Sequence, residues 1–263
     1  MLTDVTAALA ARPAGAELLI LSDFDGTLAA FDPDPAVPTL SLAGKALLSS
    51  LAARPGVTVG LVSGRRIADL RKRTRLPSEV YYAGLHGMEI EVDDRRWQHP
   101  DLSAAEDHVR ALAGRLAPLT VEVPGLFVED KGVSLAVHFR RVERVRQPRA
   151  ASLAEGAAAP WLASGQLRRL EGNQVIEYLP NIACHKGDAA RWIAADVTAR
   201  TGRPAWTMFL GDDVTDEDGF KAIGEGIGVL VGRRPSAATH RVDNPDEVEE
   251  LLRWLATEGG SAA

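Results

Sequence analysis

Short, almost continuous apolar runs recur in both halves of the chain, and polar or turn-forming residues bound each of them. These runs span residues 18–21, 57–62, 81–83, 206–210 and 227–231. Strands that are buried on both faces of a parallel sheet have this near-continuous apolar pattern. Segments with apolar residues at helical spacing separate the runs. Strands that alternate with helices predict an α/β fold with a doubly wound parallel sheet.

The helices between these strands are predicted from apolar spacing together with capping residues. Ser41 is placed to cap one helix, and Lys186 opens another. Asn244 precedes the closing helix, which has Pro245 at its first position, where proline is favoured. Beyond that helix, residues 259–263 are expected to be disordered.

The pattern changes in the middle of the chain. Residues 133–140 alternate apolar and polar side chains, which predicts a strand in a sheet with one covered face. A helix is predicted at residues 102–116, and Val121 with Val123 indicates another strand. Gly172-Asn173 predicts the turn of a hairpin. The predicted domains are core residues 1–100, an inserted α+β domain at 101–180, and core residues 181–263.

The composition is that of an ordinary soluble globular protein, and it narrows the possible partners. Of 263 residues, 46% are hydrophobic and 25% are charged, and the formal net charge of −6 argues against general binding of nucleic acid. No apolar run approaches membrane-spanning length, so no membrane association is expected. Cys184 is the single cysteine, which excludes an internal disulfide and fits a reducing compartment. Because Asp4 lies near the start and no basic segment does, we expect no signal peptide and predict a cytoplasmic protein. The sequence does not determine the oligomeric state, and a monomer is expected.

Acidic and hydroxyl side chains follow three of the predicted core strands. They are Asp23 and Asp25 after the first strand, Ser63 after the second, and Asp212 and Asp213 after the fourth. Ligands bind at the carboxyl edge of an open parallel sheet, so these groups are expected to meet there, joined by Lys186. Two neighbouring carboxylates repel each other unless a cation lies between them, and oxygen ligands favour Mg²⁺. Taken alone, the first pair would fit a solvated turn equally well.

The first of these acidic pairs lies within a longer motif. Asp23-Phe24-Asp25-Gly26-Thr27 resembles the DxDGT nucleophile motif of the haloacid dehalogenase superfamily, in which the first aspartate is phosphorylated. The order Asp23, Ser63, Lys186, Asp212 is similar to the four motifs of that superfamily. The resemblance implies phosphoryl transfer with Asp23 as nucleophile and Asp25 as general acid and base. Ser63 would donate to a phosphoryl oxygen, and Lys186 would supply the balancing positive charge.

The resemblance also implies a magnesium cofactor. Its expected ligands are the side chains of Asp23 and Asp212 and the main-chain carbonyl of Asp25. The carboxylate of Asp25 is expected to stay free of the metal, because it must exchange protons with the substrate and with water. Asp213 and Asp216 are expected to orient the ligands.

Further stretches extend the resemblance to the trehalose-6-phosphate phosphatase family, across nearly the whole chain. They are Ser63-Gly64-Arg65, Gly84-Leu85-His86-Gly87, residues 128–132, residues 135–140, Lys186-Gly187 and residues 211–217. The resemblance implies that the insert is a cap and that Glu129, Lys131 and Glu177 bind the hydroxyl groups of a disaccharide. It makes Arg65 a candidate for substrate binding, while His86 would either bind substrate or support its loop. Without the resemblance, Glu129 and Lys131 would be assigned to a solvated hairpin turn.

A few residues depart from the family pattern. Ser22 and Phe24 replace a usual apolar residue and a frequent tyrosine, and neither change touches the chemistry. Leu179 stands where a cation is usual, beside the expected sugar site, which leaves the substrate open. We expect hydrolysis of trehalose 6-phosphate. The alternatives are another glycosyl phosphate such as glucosylglycerol or mannosylglycerate phosphate, a sugar-phosphate mutase, and a sugar-phosphate-binding module without catalysis.

Overall fold

The computed structural model describes residues 2–32, 34 and 36–257. The chain divides into two units by contact: a core unit formed by Met1–Gln98 with Cys184–Ala263, and an inserted unit formed by His99–Ala183. The sequence pattern predicts the insert at residues 101–180. The disorder expected for residues 259–263 concerns residues outside the described part of the chain.

The first segment of the core unit alternates helices with strands. Its elements are α1 (Leu2–Ala10), β1 (Glu17–Ser22), α2 (Leu42–Ala52), β2 (Val57–Val62), α3 (Ile67–Thr74), β3 (Tyr81–Gly84), β4 (Glu89–Val92) and β5 (Arg95–Gln98). The predicted cap of α2 is confirmed, since the Ser41 hydroxyl accepts a hydrogen bond from the Gly44 N–H at 2.8 Å. The apolar pattern does not predict β4 and β5, because both are short and β5 is polar and largely exposed.

The inserted unit is an antiparallel sheet with helices packed against one face. Its elements are α4 (Leu102–Glu122), β6 (Phe127–Asp130), β7 (Leu135–His138), α5 (Gln147–Ala163), β8 (Leu167–Gly172) and β9 (Val175–Pro180). The strand order is β6-β7-β9-β8. Leu135, Val137 and Tyr178 of the sheet share an apolar cluster with Leu112 and Leu116 of α4. Neither the 21-residue α4 nor any other helix in the described ranges is long and apolar enough to cross a membrane.

One predicted strand of the inserted unit is wrong, and one predicted hairpin is confirmed. The segment with Val121 and Val123 is not a strand, because α4 extends to Glu122 and Val123 caps it, with its N–H donating to the Leu119 carbonyl at 2.9 Å. Val121 is 86% exposed, so its side chain lies on the solvent face of the helix. The β8–β9 hairpin forms as predicted. Its turn lies one residue later than predicted, since Gly172 pairs with Val175.

The second segment of the core unit returns to alternating helices and strands. Its elements are α6 (Lys186–Thr201), β10 (Ala205–Gly211), α7 (Glu217–Ala222), β11 (Ile227–Val231), β12 (His240–Val242) and α8 (Pro245–Thr257). The predicted cap of α8 is confirmed by a hydrogen bond from the Glu247 N–H to Asn244 Oδ1 at 3.0 Å. The predicted start of α6 at Lys186 is confirmed as well. The three-residue β12 is too short to produce an apolar run.

The core sheet has the order β12-β11-β10-β1-β2-β3-β4-β5. The strands from β12 to β3 are parallel, and β4 and β5 continue the sheet in antiparallel fashion. Alternate residues of β1 are buried on opposite faces: Leu18 clusters with Leu48 of α2, and Leu19 clusters with Ile193 of α6. Helices therefore cover both faces of the sheet, which confirms the predicted doubly wound α/β core with an α+β insert. Because β1 lies between β2 and β10, the carboxyl ends of these three strands are neighbours.

Candidate active site

The carboxyl ends of the three central strands position the candidate catalytic residues. Asp23 directly follows β1, and its N–H donates to the Leu210 carbonyl of β10 at 2.9 Å. Ser63 directly follows β2, and its N–H donates to the Ala83 carbonyl of β3 at 2.9 Å. Asp212 directly follows β10. Main-chain bonds to neighbouring strands thus hold Asp23 and Ser63 at the same edge of the sheet, as their spacing predicts.

Lys186 brings a buried positive charge to this edge from the start of α6. Its Nζ lies 2.9 Å from Asp23 Oδ1 and 2.7 Å from Asp216 Oδ1, and its side chain is only 2% exposed. Burial by itself favours the neutral amine, but the Asp23 and Asp216 carboxylates outweigh it and raise the pKa of Lys186. The lysine is therefore a fixed cation beside the predicted nucleophile.

Three carboxylates converge beside Lys186. Oxygens of Asp23, Asp212 and Asp216 lie within 4.8 Å of one another. Burial raises the pKa of Asp23 to about 7, opposed by Lys186 and reinforced by Asp216. Burial also raises the pKa of Asp212, although a hydrogen bond from the Thr27 hydroxyl at 2.9 Å opposes the shift. A single lysine does not balance three carboxylates, so the cluster fits a hard divalent cation such as Mg²⁺.

Asp216 is engaged on both of its oxygens. Oδ1 accepts from Lys186, while Oδ2 accepts from the N–H groups of Asp212 at 3.0 Å and Asp213 at 2.9 Å. These bonds suit the orienting role predicted for Asp216. Asp213 is exposed and its carboxylate lies outside the cluster, where it accepts from the Thr215 hydroxyl at 3.4 Å.

The turn after β1 leaves no room for a side chain at Gly26. Its φ of +83° lies in the left-handed region that favours glycine. A Cβ at this position would stand 2.2 Å from Asp212 Oδ2, well inside van der Waals contact. Gly26 therefore lets the Asp23 turn and the Asp212 carboxylate approach each other.

Asp25 is not part of the acidic cluster and is held by Arg65. The guanidinium donates from Nε to Asp25 Oδ2 and from Nη2 to Asp25 Oδ1, both at 2.6 Å. Nη1 donates to Asp69 Oδ2 at 2.8 Å, and the guanidinium also lies over the Phe24 ring. The Asp25 carboxylate is therefore not one of the three carboxylates of the acidic cluster, and its freedom from a metal stays a prediction. Arg65, predicted to bind substrate, contacts the predicted acid and base, and its role toward substrate stays a prediction.

Ser63 and His86 lie in loops that are joined by main-chain hydrogen bonds. The His86 N–H donates to the Ser63 carbonyl, and the Leu85 N–H donates to the Arg65 carbonyl, both at 2.9 Å. The Ser63 hydroxyl accepts from the Arg65 N–H at 3.2 Å and is buried. His86 thus lies beside the loop that follows β2, which fits its predicted alternative role of supporting a loop.

The predicted sugar-binding residues of the inserted unit lie together on one sheet face. In register, Glu129 of β6 faces Ala136 of β7, and Ala136 faces Glu177 of β9, so the small alanine separates the two acids. Lys131 Nζ donates to Glu177 Oε1 at 3.1 Å, and the Ser134 hydroxyl donates to the same oxygen at 2.7 Å. This face is opposite the one that packs on α4 and α5. It presents acceptors and donors side by side, as binding of sugar hydroxyls requires.

The chain matches one protein family over most of its length. The profile of the trehalose-phosphatase family matches residues 21–246. The chain belongs to the trehalose-phosphatase family. Curated relatives include the trehalose-phosphate phosphatases of Mycobacterium ulcerans (strain Agy99), 35% identical over 251 residues, and Mycobacterium avium (strain 104), 36% identical over 256 residues. These alignments cover 91% and 92% of this chain but only 61% and 63% of the relatives.

Solved structures of the trehalose-phosphatase family share the fold. The trehalose-6-phosphate phosphatase of Aspergillus fumigatus is 25% identical, with a TM-score of 0.68 and coverage of 95% of this chain and 97% of that chain. The C-terminal domain of the Candida albicans enzyme has a TM-score of 0.71 at 22% identity, with 96% of each chain covered. The similarity to the second structure concerns the fold alone.

The sequence did not predict two contacts of this trehalose-phosphatase family site, those of Thr27 and Arg234 with Asp212. Thr27 belongs to the DxDGT motif, and its position after the paired aspartates could have indicated its hydrogen bond to Asp212. Arg234 gave no comparable signal, because it lies 22 residues from the Asp212 carbonyl to which it donates. Both residues donate hydrogen bonds to Asp212, which the sequence does predict at the end of a core strand.

Proposed function

We propose that the chain is a Mg²⁺-dependent phosphatase that hydrolyses trehalose 6-phosphate to trehalose and phosphate through a phosphorylated Asp23. The observation that carries the proposal is the buried contact of Asp23 with Lys186, next to Asp212 and Asp216. A carboxylate nucleophile needs a neighbouring cation to accept a phosphate dianion, and phosphoryl transfer depends mainly on positioning and electrostatics.

In the first step, a carboxylate oxygen of Asp23 attacks phosphorus and the bond from phosphorus to the sugar oxygen breaks. Asp25 gives a proton to the departing sugar oxygen, so free sugar leaves and Asp23 carries the phosphoryl group. Arg65 donates one hydrogen bond to each Asp25 oxygen, so a second lone pair on each oxygen remains for the proton. The Ser63 hydroxyl donates to a phosphoryl oxygen, and Lys186 balances the charge on Asp23.

In the second step, water attacks the phosphoryl group on Asp23 while Asp25 takes a proton from the water. The acyl phosphate bond breaks, which releases inorganic phosphate and restores the Asp23 carboxylate. Mg²⁺ held by the side chains of Asp23 and Asp212 and the main-chain carbonyl of Asp25 would neutralise charge between nucleophile and phosphate. Asp216 orients the loop of Asp212 because its carboxylate accepts hydrogen bonds from the N–H groups of Asp212 and Asp213.

The proposal of trehalose 6-phosphate as substrate rests on the inserted unit and on the relatives' names. The side chains of Glu129, Lys131 and Glu177 provide a donor and acceptors on one face. The relatives are named trehalose-phosphate phosphatases, and the chain spans about three fifths of their length. Leu179 occupies the position where the family usually has a cationic side chain. Arg168 is a candidate to replace that cation, because it lies directly across from Leu179 in the β8–β9 pair.

The alternatives are distinguished by particular residues. Leu179 favours another glycosyl phosphate, such as glucosylglycerol or mannosylglycerate phosphate, as the second candidate substrate. A non-catalytic binding module would not need the buried contact between Asp23 and Lys186. A mutase shares the core chemistry but would have to exclude water. The proposed cytoplasmic location rests on the single cysteine, Cys184, and the monomeric state is likewise a proposal.

The test is phosphate release from a panel of sugar phosphates, with Mg²⁺ and with EDTA. We expect trehalose 6-phosphate to give the highest kcat/KM and EDTA to remove turnover. The near-isosteric variant Asp23→Asn cannot act as a nucleophile, so its kcat should fall by at least about a thousandfold while its circular dichroism is unchanged. Substantial turnover by folded Asp23→Asn would contradict the phosphoryl-enzyme mechanism. Preference for a different sugar phosphate would contradict only the proposed substrate.

A further inference from the structure

Two successive residues of the loop after β10, Asp212 and Asp213, are held through both their N–H and their carbonyl groups. On one side, the N–H groups of Asp212 and Asp213 donate to Asp216 Oδ2 at 3.0 and 2.9 Å. On the other, Arg234 Nε donates to the Asp212 carbonyl at 2.8 Å, and Nη2 donates to the Asp213 carbonyl at 2.5 Å. The loop that carries Asp212 therefore has its main-chain direction set by one carboxylate and one guanidinium.

Arg234 is itself held by Glu217, a residue of the 211–217 motif to which the catalytic steps assign no role. Arg234 Nη1 donates to Glu217 Oε1 at 2.5 Å. The same carboxylate accepts from the Ser236 hydroxyl at 2.7 Å on Oε1 and from the Ala237 N–H at 2.7 Å on Oε2. Glu217 thus fastens the segment that follows β11 to the start of α7, and this fixes the guanidinium in position.

We propose that Arg234, fixed by Glu217, is a positioning residue that holds the Asp212 carboxylate ready for the divalent cation. The proposal rests on the Mg²⁺ dependence proposed above and assigns a function to residues outside the ligand set. A binding group that is already oriented loses less conformational freedom when its ligand arrives, so orientation increases affinity. The guanidinium contacts the main chain of the loop, whereas the Asp212 side chain accepts a hydrogen bond from Thr27 and would bind the cation.

The guanidinium fork explains why an arginine is needed here. One residue reaches two consecutive carbonyls and a carboxylate at once, through Nε, Nη2 and Nη1. A lysine ammonium carries the same charge but lacks the planar fork, so it cannot reproduce the three contacts together. The variant Arg234→Lys would keep the positive charge at this position but would not keep the orientation of the loop.

The experiment compares the Mg²⁺ affinity of the unaltered full chain with that of its variants. Affinity is measured by isothermal titration calorimetry without substrate. Removing partners that orient metal ligands typically costs about 10–100-fold in metal affinity. We expect the Mg²⁺ dissociation constants of Arg234→Ala and Arg234→Lys to rise by about that factor, and that of Glu217→Gln to rise by less. The matched control is Arg233→Ala: its neighbouring guanidinium pairs with Asp243 and is 74% exposed, so affinity should be unchanged.

A second readout separates positioning from general destabilisation. At saturating Mg²⁺, Arg234→Ala should keep the KM for substrate and recover most of its kcat, while the Mg²⁺ concentration for half-maximal rate rises. Melting in EDTA reports folding, and if Arg234→Ala fails to fold, Arg234→Lys and Glu217→Gln provide the comparison. Equal Mg²⁺ affinity in the folded variants and the unaltered chain would overturn the role of Arg234 alone. Absence of Mg²⁺ binding by the unaltered chain would overturn the proposed metal dependence as well.

Discussion

Arg65, which the sequence predicts to bind substrate, also contacts the predicted acid and base. Its guanidinium holds both oxygens of Asp25, donates to Asp69 and lies over Phe24. A bidentate pair between arginine and a carboxylate fixes orientation as well as charge. At the scale of single residues, Arg65 is therefore placed to hold the acid and base until substrate arrives.

We predict that Arg65→Ala lowers kcat by up to about a hundredfold, since small misplacement of a catalytic group has that cost. Steady-state phosphate release would measure kcat and KM. The control is Lys72→Ala, an exposed position on the neighbouring helix α3. A rise in KM with kcat retained would instead support the substrate-binding role that the sequence predicts for Arg65.

Cys184 is predicted to be unreactive at neutral pH. Burial, reinforced by Asp188, raises the pKa of its thiol from 9.0 to about 11. Because only the thiolate reacts, a rise of two units lowers the reactive fraction at pH 8 by about a hundredfold. Iodoacetamide labelling should therefore be about that much slower in the folded chain than in urea, and should accelerate as the pH approaches 11. Equal labelling rates in the two states at pH 8 would show that the thiol is not protected.

At the scale of elements, the inserted sheet uses one face for packing and the other for polar side chains. Leu135 and Val137 of β7 are buried with α4, whereas Ala136 lies between Glu129 and Glu177 on the opposite face. The alternation of strand residues produces this division. We infer that substrate preference resides on this polar face and phosphate chemistry in the core unit.

We predict that Glu129→Ala, Lys131→Ala and Glu177→Ala each lower kcat/KM for trehalose 6-phosphate by roughly ten- to a hundredfold. Loss of a hydrogen bond to a charged group costs about 1.5–3 kcal/mol. Hydrolysis of p-nitrophenyl phosphate, which has no sugar hydroxyls, should change much less. Parallel loss of both activities in folded variants would place these residues in the general phosphatase machinery instead.

Arg168 and Arg169 offer a matched pair on strand β8. They are adjacent, so their side chains point to opposite faces, and Arg168 lies across from Leu179 on the face of Glu177. Arg169 pairs with Glu155 and Glu171. We predict that Arg168→Ala lowers kcat/KM for trehalose 6-phosphate by about tenfold, and Arg169→Ala leaves it unchanged. Identical kinetics for both variants would show that Arg168 does not replace the cationic side chain that is usual at the position of Leu179.

At the scale of the whole molecule, negative charge is concentrated where a cation would bind. The chain has a net charge of −6, and its core unit contains the cluster of Asp23, Asp212 and Asp216. A cation that binds only the folded state stabilises it, by about 2.7 kcal/mol at a concentration one hundred times the dissociation constant. All three carboxylates of this cluster belong to the core unit.

We predict that saturating Mg²⁺ raises the Tm of the core unit by about 5–10 °C relative to EDTA, on the basis of roughly 2–4 °C per kcal/mol. Scanning calorimetry would measure the shift. Asp212→Asn should abolish most of the shift, because it removes one carboxylate from the cluster. A shift of equal size in Asp212→Asn would mean that Mg²⁺ stabilises the chain at another place.

The sequence by itself determined the core of the fold and the position of its chemistry. Continuous apolar runs specify buried strands locally, and parallel order brings Asp23, Ser63 and Asp212 to one edge because their strands end there. Lys186 was predictable for a similar reason, since it opens a helix that returns to the same sheet. Short or polar elements such as β5 and β12 carry too little apolar periodicity to be predicted from sequence.

Only the tertiary structure decided which side chains meet across these elements. Arg65 reaches Asp25 over 40 residues of chain, and Arg234 reaches the Asp212 carbonyl over 22. Such contacts depend on the twist of the sheet and on the course of each loop, which local hydrophobic spacing does not encode. Val121 shows the same limit within one element, because this β-branched residue lies in α4, a helix that is stabilised by the packing of Leu112 and Leu116.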